Sequence, residues 1–145
     1  MFISKIKIEN FRLFGSGDHA FALYLNPGLT ALVGENDAGK TAVIDALRLV
    51  LGTRDQEYLR LEPADFHQPP NGNNRATQIM ICCTFEGLTA HDRGAFAEYL
   101  TYRTTGATTE TVLQITWIAK RDEKEGATRR YLPIEWRSGS EGDGQ

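Results

Sequence analysis

The chain has 145 residues, 41% of them hydrophobic and 24% charged, with a formal net charge of −3. That is length for one ordinary domain with a buried core, and the mild acidity gives no overall electrostatic case for nucleic-acid binding. No apolar run approaches the roughly 18 residues of a membrane helix, and Met1 to Glu9 alternates apolar with charged residues, unlike a signal peptide. A cytoplasmic setting without a membrane is the expectation.

Taken in chain order, Phe2 to Asn10 reads as a first strand, with Ile6 and Ile8 on one face and Lys5 and Lys7 on the other. Phe11 to Phe14 and a turn-rich stretch, Gly15 to Asp18, lead into a second strand over His19 to Leu25. Asn26-Pro27-Gly28 is a tight-turn signal. Leu29 to Val33 is a short, nearly continuous apolar run, the pattern of a strand buried on both faces. After the loop Gly34 to Gly39, Val43, Ala46, Leu47 and Val50 recur at helical spacing, and Gly52 is a stop signal. The stretch up to Asn74, with Pro63, Pro69 and Pro70, reads as an exposed loop. Thr77 to Glu86 then reads as a strand, Thr89 to Leu100 as a short helix, and Val112 to Ala119 as a strand. A charged turn, Lys120 to Glu125, precedes a last strand over Arg129 to Trp136. The Gly- and acid-rich tail, Ser138 to Gln145, reads as disordered.

Cys82 and Cys83 are adjacent in a strand, where side chains point to opposite faces, so they are not placed for an ordinary disulfide. His19, His67 and His91 have no ligand-like spacing with them.

The motif that carries chemistry is Gly34-Glu35-Asn36-Asp37-Ala38-Gly39-Lys40-Thr41, a full match to the phosphate-binding P-loop pattern between an expected strand and an expected helix. A triphosphate needs converging donors that are cheap to desolvate. Gly34 and Gly39 permit positive φ, so that successive N–H groups turn inward, and the helix N-terminus adds unpaired N–H donors. Lys40 is placed to reach the β- and γ-phosphates as a point charge. The Thr41 hydroxyl is placed to ligate Mg²⁺. The reading is therefore ATP with Mg²⁺. Hydrolysis also needs an acid after a second apolar strand. Glu86, which follows Ile79 to Phe85, resembles one superficially, but a core strand ending in an exposed glutamate is the far commoner explanation.

Three segments together resemble a family. Ile6-x-Ile8-x-Asn10-Phe11-Arg12-x-Phe14 looks like the opening strand of RecF/SMC-type ABC ATPases. The P-loop is similar to the Gly-Glu-Asn-x-x-Gly-Lys form of OLD-family nucleases. Ala42 to Arg48 with Leu51-Gly52 resembles the family's helix, and Asp65-Phe66-His67 an acidic-aromatic segment after it. The resemblance implies an α/β P-loop NTPase fold, an ABC-type head lobe with an antiparallel β-subdomain, incomplete in this chain. Residues 1–137 would form the N-terminal part of the head, with a P-loop core at 1–67, a β-rich subdomain at 75–137 and a disordered tail at 138–145. It implies a head-to-head homodimer in which each nucleotide is completed by the opposite head, and DNA as a partner of the complete protein.

The resemblance places the arginine after the first strand near the phosphates, making Arg12 a secondary candidate; the alternative is a surface arginine between core residues Phe11 and Phe14. Gln68 is a further candidate for the glutamine that contacts Mg²⁺ in such heads. Arg129-Arg130 with Tyr131 and Trp136 suggest either a DNA-contacting edge or, given Glu123, Glu125 and Glu135, a solvated strand edge. The resemblance favours the ATP-binding lobe of an OLD-like ATP-dependent endonuclease of DNA repair or phage defence, inactive alone. The alternatives are a RecF/SMC-like DNA-repair ATPase without a nuclease and a non-hydrolysing nucleotide-sensing module. A small-molecule kinase also has a P-loop, but most such kinases begin at the P-loop strand.

Overall fold

The computed structural model of the chain describes residues 1–52, 61–121 and 134–139. Six strands form one antiparallel sheet: β1 (Phe2–Glu9), β2 (Phe21–Tyr24), β3 (Gln78–Glu86), β4 (Leu100–Thr105), β5 (Thr108–Lys120) and β6 (Ile134–Ser138). Their order is β2-β1-β3-β5-β4, with β6 also on β5. β3 runs along one edge of β5, from Phe85 opposite Leu113 to Gln78 opposite Lys120. The other edge is shared, with β4 pairing Thr108 to Leu113 and β6 pairing Ile115 to Ala119.

The period-two pattern of β1 works as a sorting device. Ile6 and Ile8 are fully buried and join Ile79, Ile81, Cys83 and Phe85 of β3 and Leu113, Trp117 and Ala119 of β5 in one core. Helix α1 (Lys40–Leu51) covers this face with Ala42, Val43, Ala46, Leu49 and Val50, and packs on β3 and β5. Cys83 points into this core, while Cys82 on the opposite face accepts from the Gln114 amide at 3.1 Å. Burial first, and then the neighbouring Cys82, pushes the Cys83 thiol up to about 12, which keeps it protonated and inert.

Several expectations need correction. Leu29 to Val33 is not a strand; Leu29 is 100% and Val33 93% exposed, and Leu32 alone of the five packs partly against the core. A strand buried on both faces needs a partner on each edge for its N–H and C=O groups. None of the described strands runs beside this segment. The expected helix at 89–100 is shorter: α2 (Ala90–Ala95) is followed by a 3-10 turn at Ala97–Tyr99, and Leu100 already begins β4. α2 starts on a reciprocal cap, in which Thr89 Oγ1 accepts from the Asp92 N–H and Asp92 accepts from the Thr89 N–H. The second strand is cut back to Phe21–Tyr24 because residues 17–19 form a 3-10 turn. Ser138, expected in the tail, ends β6. Of the last expected strand only its end coincides with β6; Arg129, Arg130, Tyr131, Glu123, Glu125 and the tail beyond Gly139 lie outside the described residues.

Candidate functional site

The loop Gly34 to Gly39 leads directly into α1, whose N-cap is Gly39. No side chain caps this terminus and its first turn holds no acid, so its N–H groups and the positive end of the helix dipole are left for an anion. Gly39 takes φ 92° and Asp37 φ 69°. Gly34 does not adopt the positive φ expected of it, as Asp37, one of the residue types that tolerate the left-handed region, makes that turn. Gly34 to Ala38 and Thr41 are exposed. The Lys40 ammonium folds over the loop and donates to the carbonyls of Gly34 and Glu35, the latter at 2.6 Å. The Lys40 ammonium is thus already turned back over the loop.

Arg12 lies beside this helix in an ion-pair network. Its Nε donates to Asp65 Oδ1 at 2.8 Å and its Nη1 to Asp45 Oδ2 at 2.6 Å. Asp45 sits on the core-facing side of α1, in line with Ala42, Ala46 and Leu49, and also meets Arg48 at 3.5 Å. Burial lowers the proton affinity of the Arg12 guanidinium, but hydrogen bonds and charge from Asp65 and Asp45 outweigh this, and its pKa is raised. The Arg12 side chain is 32% exposed, intermediate between the two readings of the sequence. It is no loose surface arginine; both of its sequence neighbours in the motif, Phe11 and Phe14, are core residues.

Backbone bonds tie the same region together. The Arg12 N–H donates to the Asp65 carbonyl at 2.7 Å, the His67 N–H to the Asn10 carbonyl at 2.9 Å, and His67 Nδ1 meets the Arg12 carbonyl at 2.7 Å. Asp65 Oδ2 accepts from the Glu62 N–H at 2.8 Å. The Asp65-Phe66-His67 segment is therefore zipped onto the end of β1, with Phe66 fully buried against Phe11.

A groove of about 770 Å³ is lined by Leu13, Phe14, His19, His67, Asn74 and Arg75, among others, and by none of the residues from Gly34 to Thr41. Gln68 is exposed and its amide donates to the Gly72 carbonyl at 3.2 Å, leaving its oxygen as the atom able to meet a metal. Glu86 is at the wrong end of the sheet. It pairs with Phe2 at the start of β1, whereas the Arg12 turn leaves the other end, roughly 20 Å away along the strand. It bonds Arg103 at 2.6 Å instead. Trp136 lies opposite Trp117, and its neighbour Glu135 pairs with Lys120 and Arg137.

Asp45 and the bonding roles of Asp65 and His67 were not read from the sequence. The available signal was an acid on the apolar stripe of α1, since a carboxylate held among Ala42, Ala46 and Leu49 demands a cationic partner.

Comparison with known proteins agrees with this geometry. Residues 1–131 match the AAA ATPase domain family. The chromosome partition protein Smc of Chlorobaculum tepidum is 43% identical over 60 residues, 41% of this chain and 5% of that protein. Smc of Synechocystis is 28% identical over 88 residues, 59% of this chain and 7% of that protein. The chain thus spans a small fraction of the length of these relatives. Among solved structures, one from work on ATP-driven dimerization and DNA-stimulated activation of SMC ATPases superposes with a TM-score of 0.62 at 20% identity, covering 96% of this chain and 71% of that one. That likeness establishes the fold, that of an SMC-type P-loop ATPase head. The chain belongs to the AAA ATPase domain family, as a P-loop ATPase module related to the SMC and RecF-like proteins.

Proposed function

We propose that this chain binds the phosphates of ATP, with Mg²⁺, at Gly34 to Thr41, and that it forms half of a composite ATPase site. The observation that carries this reading is the uncapped, acid-free N-terminus of α1, preceded by the P-loop and with the Lys40 ammonium folded over it. Micromolar binding needs about 8 kcal/mol, far more than the ~0.3–1 kcal/mol of a helix dipole. Charge-assisted hydrogen bonds from Lys40 and the loop N–H groups, each about 1.5–3 kcal/mol, supply the difference. The exposed Thr41 hydroxyl, one residue past Lys40, would hold Mg²⁺, with Gln68 as a second ligand. When bound, the metal would supply positive charge against that of the phosphates. Arg12, flanking the helix, is the secondary phosphate candidate.

Residues 1–137 act as the N-terminal lobe of a head that pairs with a second copy, and DNA is a partner of the complete protein. Support comes from relatives named for chromosome partition and from a structural neighbour studied for ATP-driven dimerization and DNA stimulation. A RecF/SMC-like DNA-handling ATPase is the reading best supported. The OLD-like endonuclease is the second reading, favoured by the Gly34-Glu35-Asn36 form of the loop and by Asp65-Phe66-His67. Nucleotide-dependent nicking of plasmid DNA by the complete protein separates them.

Titration of the 145-residue chain with ATP, with and without Mg²⁺, tests the binding claim. Weak, Mg²⁺-enhanced binding with negligible phosphate release is expected; robust turnover by this chain alone would refute the half-site.

A further inference from the structure

We propose that Asp45 and Asp65 are positioning residues for phosphate binding, acting through Arg12 on the turn at Gly39. The inference rests on the nucleotide-binding reading and adds residues that reading does not use.

The Arg12 side chain ties together three segments: the end of β1, helix α1 through Asp45, and the 3-10 turn Pro63–Asp65 through Asp65. The two carboxylates reach different nitrogens, so they fix both the position and the plane of the guanidinium. The backbone is bent to make this possible. Asn10 at φ 59° and Arg12 at φ 53° are both left-handed without being glycine, a conformation costing roughly 1–2 kcal/mol per residue. The bend sends Phe11 into the core, fully buried, and Arg12 outward to the two acids.

The next two residues form a roof over the P-loop. A β-carbon at Gly39 would lie 3.0 Å from Phe14 Cζ and 3.1 Å from Leu13 Cδ2. Leu13 and Phe14 therefore press on the residue whose left-handed φ opens α1 and whose carbonyl accepts the first helical bond, from Val43, at 3.0 Å. The Phe14 N–H returns to the Phe11 carbonyl at 3.0 Å, so the roof is one closed turn with Arg12 inside it. A guanidinium held from both sides keeps that turn in register with α1. Loss of either acid frees Arg12 and loosens the roof where the phosphate-binding N–H groups are set.

The test uses the full chain with two probes: Mg²⁺-tripolyphosphate, which reads the phosphate site without a base, and Mg²⁺-ATP. Asp65→Asn and Asp45→Asn are each expected to weaken both probes on the order of tenfold while circular dichroism stays that of the unmutated chain. Arg12→Ala should show the same loss, and adding Asp65→Asn to it should cost nothing more. Folded variants that bind both probes with unchanged affinity would show a role in stability alone and overturn the proposal. So would an Asp65→Asn effect that persists undiminished in the Arg12→Ala background. If Asp45→Asn does not fold, the more exposed Asp65→Asn carries the test. A folded, unmutated chain that binds neither probe overturns the nucleotide reading itself, an outcome separable from the others.

Discussion

At the scale of single residues, Gly39 meets two demands that only glycine satisfies. Its φ of 92° is strained for any L side chain, and a β-carbon would press on Phe14 and Leu13 at 3.0 and 3.1 Å. Gly39→Ala should therefore destabilise the chain by roughly 1–3 kcal/mol, measured as a lower urea midpoint; an unchanged midpoint would mean that the turn is not held as described. The motif singled out Gly39, Lys40 and Thr41 because each residue type answers a chemical need at a fixed spacing. It could not distribute the positive φ values correctly. That depends on which residue tolerates the left-handed region once the loop closes, and here Asp37 takes the role assigned to Gly34. The Arg12 network was hidden for a different reason, since Asp45 and Asp65 are 33 and 53 residues from Arg12 in sequence.

At the scale of elements, local pattern was reliable where β-branched and apolar residues run through a strand. β1 alternates, β3 is buried on both faces from Ile81 to Phe85, and both, with the inner part of β5, were read at close to their observed bounds. β4 was missed because Leu100-Thr101-Tyr102-Arg103-Thr104-Thr105 has one core residue, and its strand state comes from pairing with β5. Trp117, 1% exposed on β5 and facing α1, is the test of this sheet as a core: Trp117→Ala should cost about 3–5 kcal/mol by denaturant melt. The outer edge is held more weakly. Arg103 of β4 pairs with Glu86 of β3 at 2.6 Å and with Glu110 of β5 at 3.4 Å. Burial would raise the Glu86 pKa, but hydrogen bonds from Arg103 and Ser4 and the Arg103 charge outweigh it and lower it below its usual 4.5. Since the folded value is the depressed one, this pair stabilises the fold above about pH 4.5 and loses its contribution as pH falls through the lower folded value. Arg103→Ala should cost about 0.5 kcal/mol at neutral pH, as expected of a solvent-screened pair. The deficit should vanish in acid; a deficit that grows on acidification would contradict the sign.

On the scale of the whole molecule, one face of the sheet is covered and the surroundings of the P-loop are not. Leu29 and Val33 are almost wholly exposed, and Ile44 and Leu51 on α1 are 43% and 46% exposed. The chain covers 71% of the SMC ATPase chain on which it superposes. The sequence reading of Leu29 to Val33 as a doubly buried strand recognised a composition that suits burial, but periodicity carries no information on whether partner strands are present. Leu29→Ser with Val33→Ser should change the stability of this chain by less than about 0.5 kcal/mol. A loss of roughly 2 kcal/mol or more would show that the segment is packed.

The central claim is that the loop from Gly34 to Thr41 holds nucleotide phosphates through Lys40. Calorimetric titration of Mg²⁺-ATP into the unmutated chain and into Lys40→Ala, with both melting curves recorded, tests it most directly. The Lys40 side chain is bonded to its own loop and absent from the core, so the variant should melt within a few degrees of the unmutated chain and lose measurable ATP binding. A folded Lys40→Ala chain that binds ATP with undiminished affinity would contradict the account.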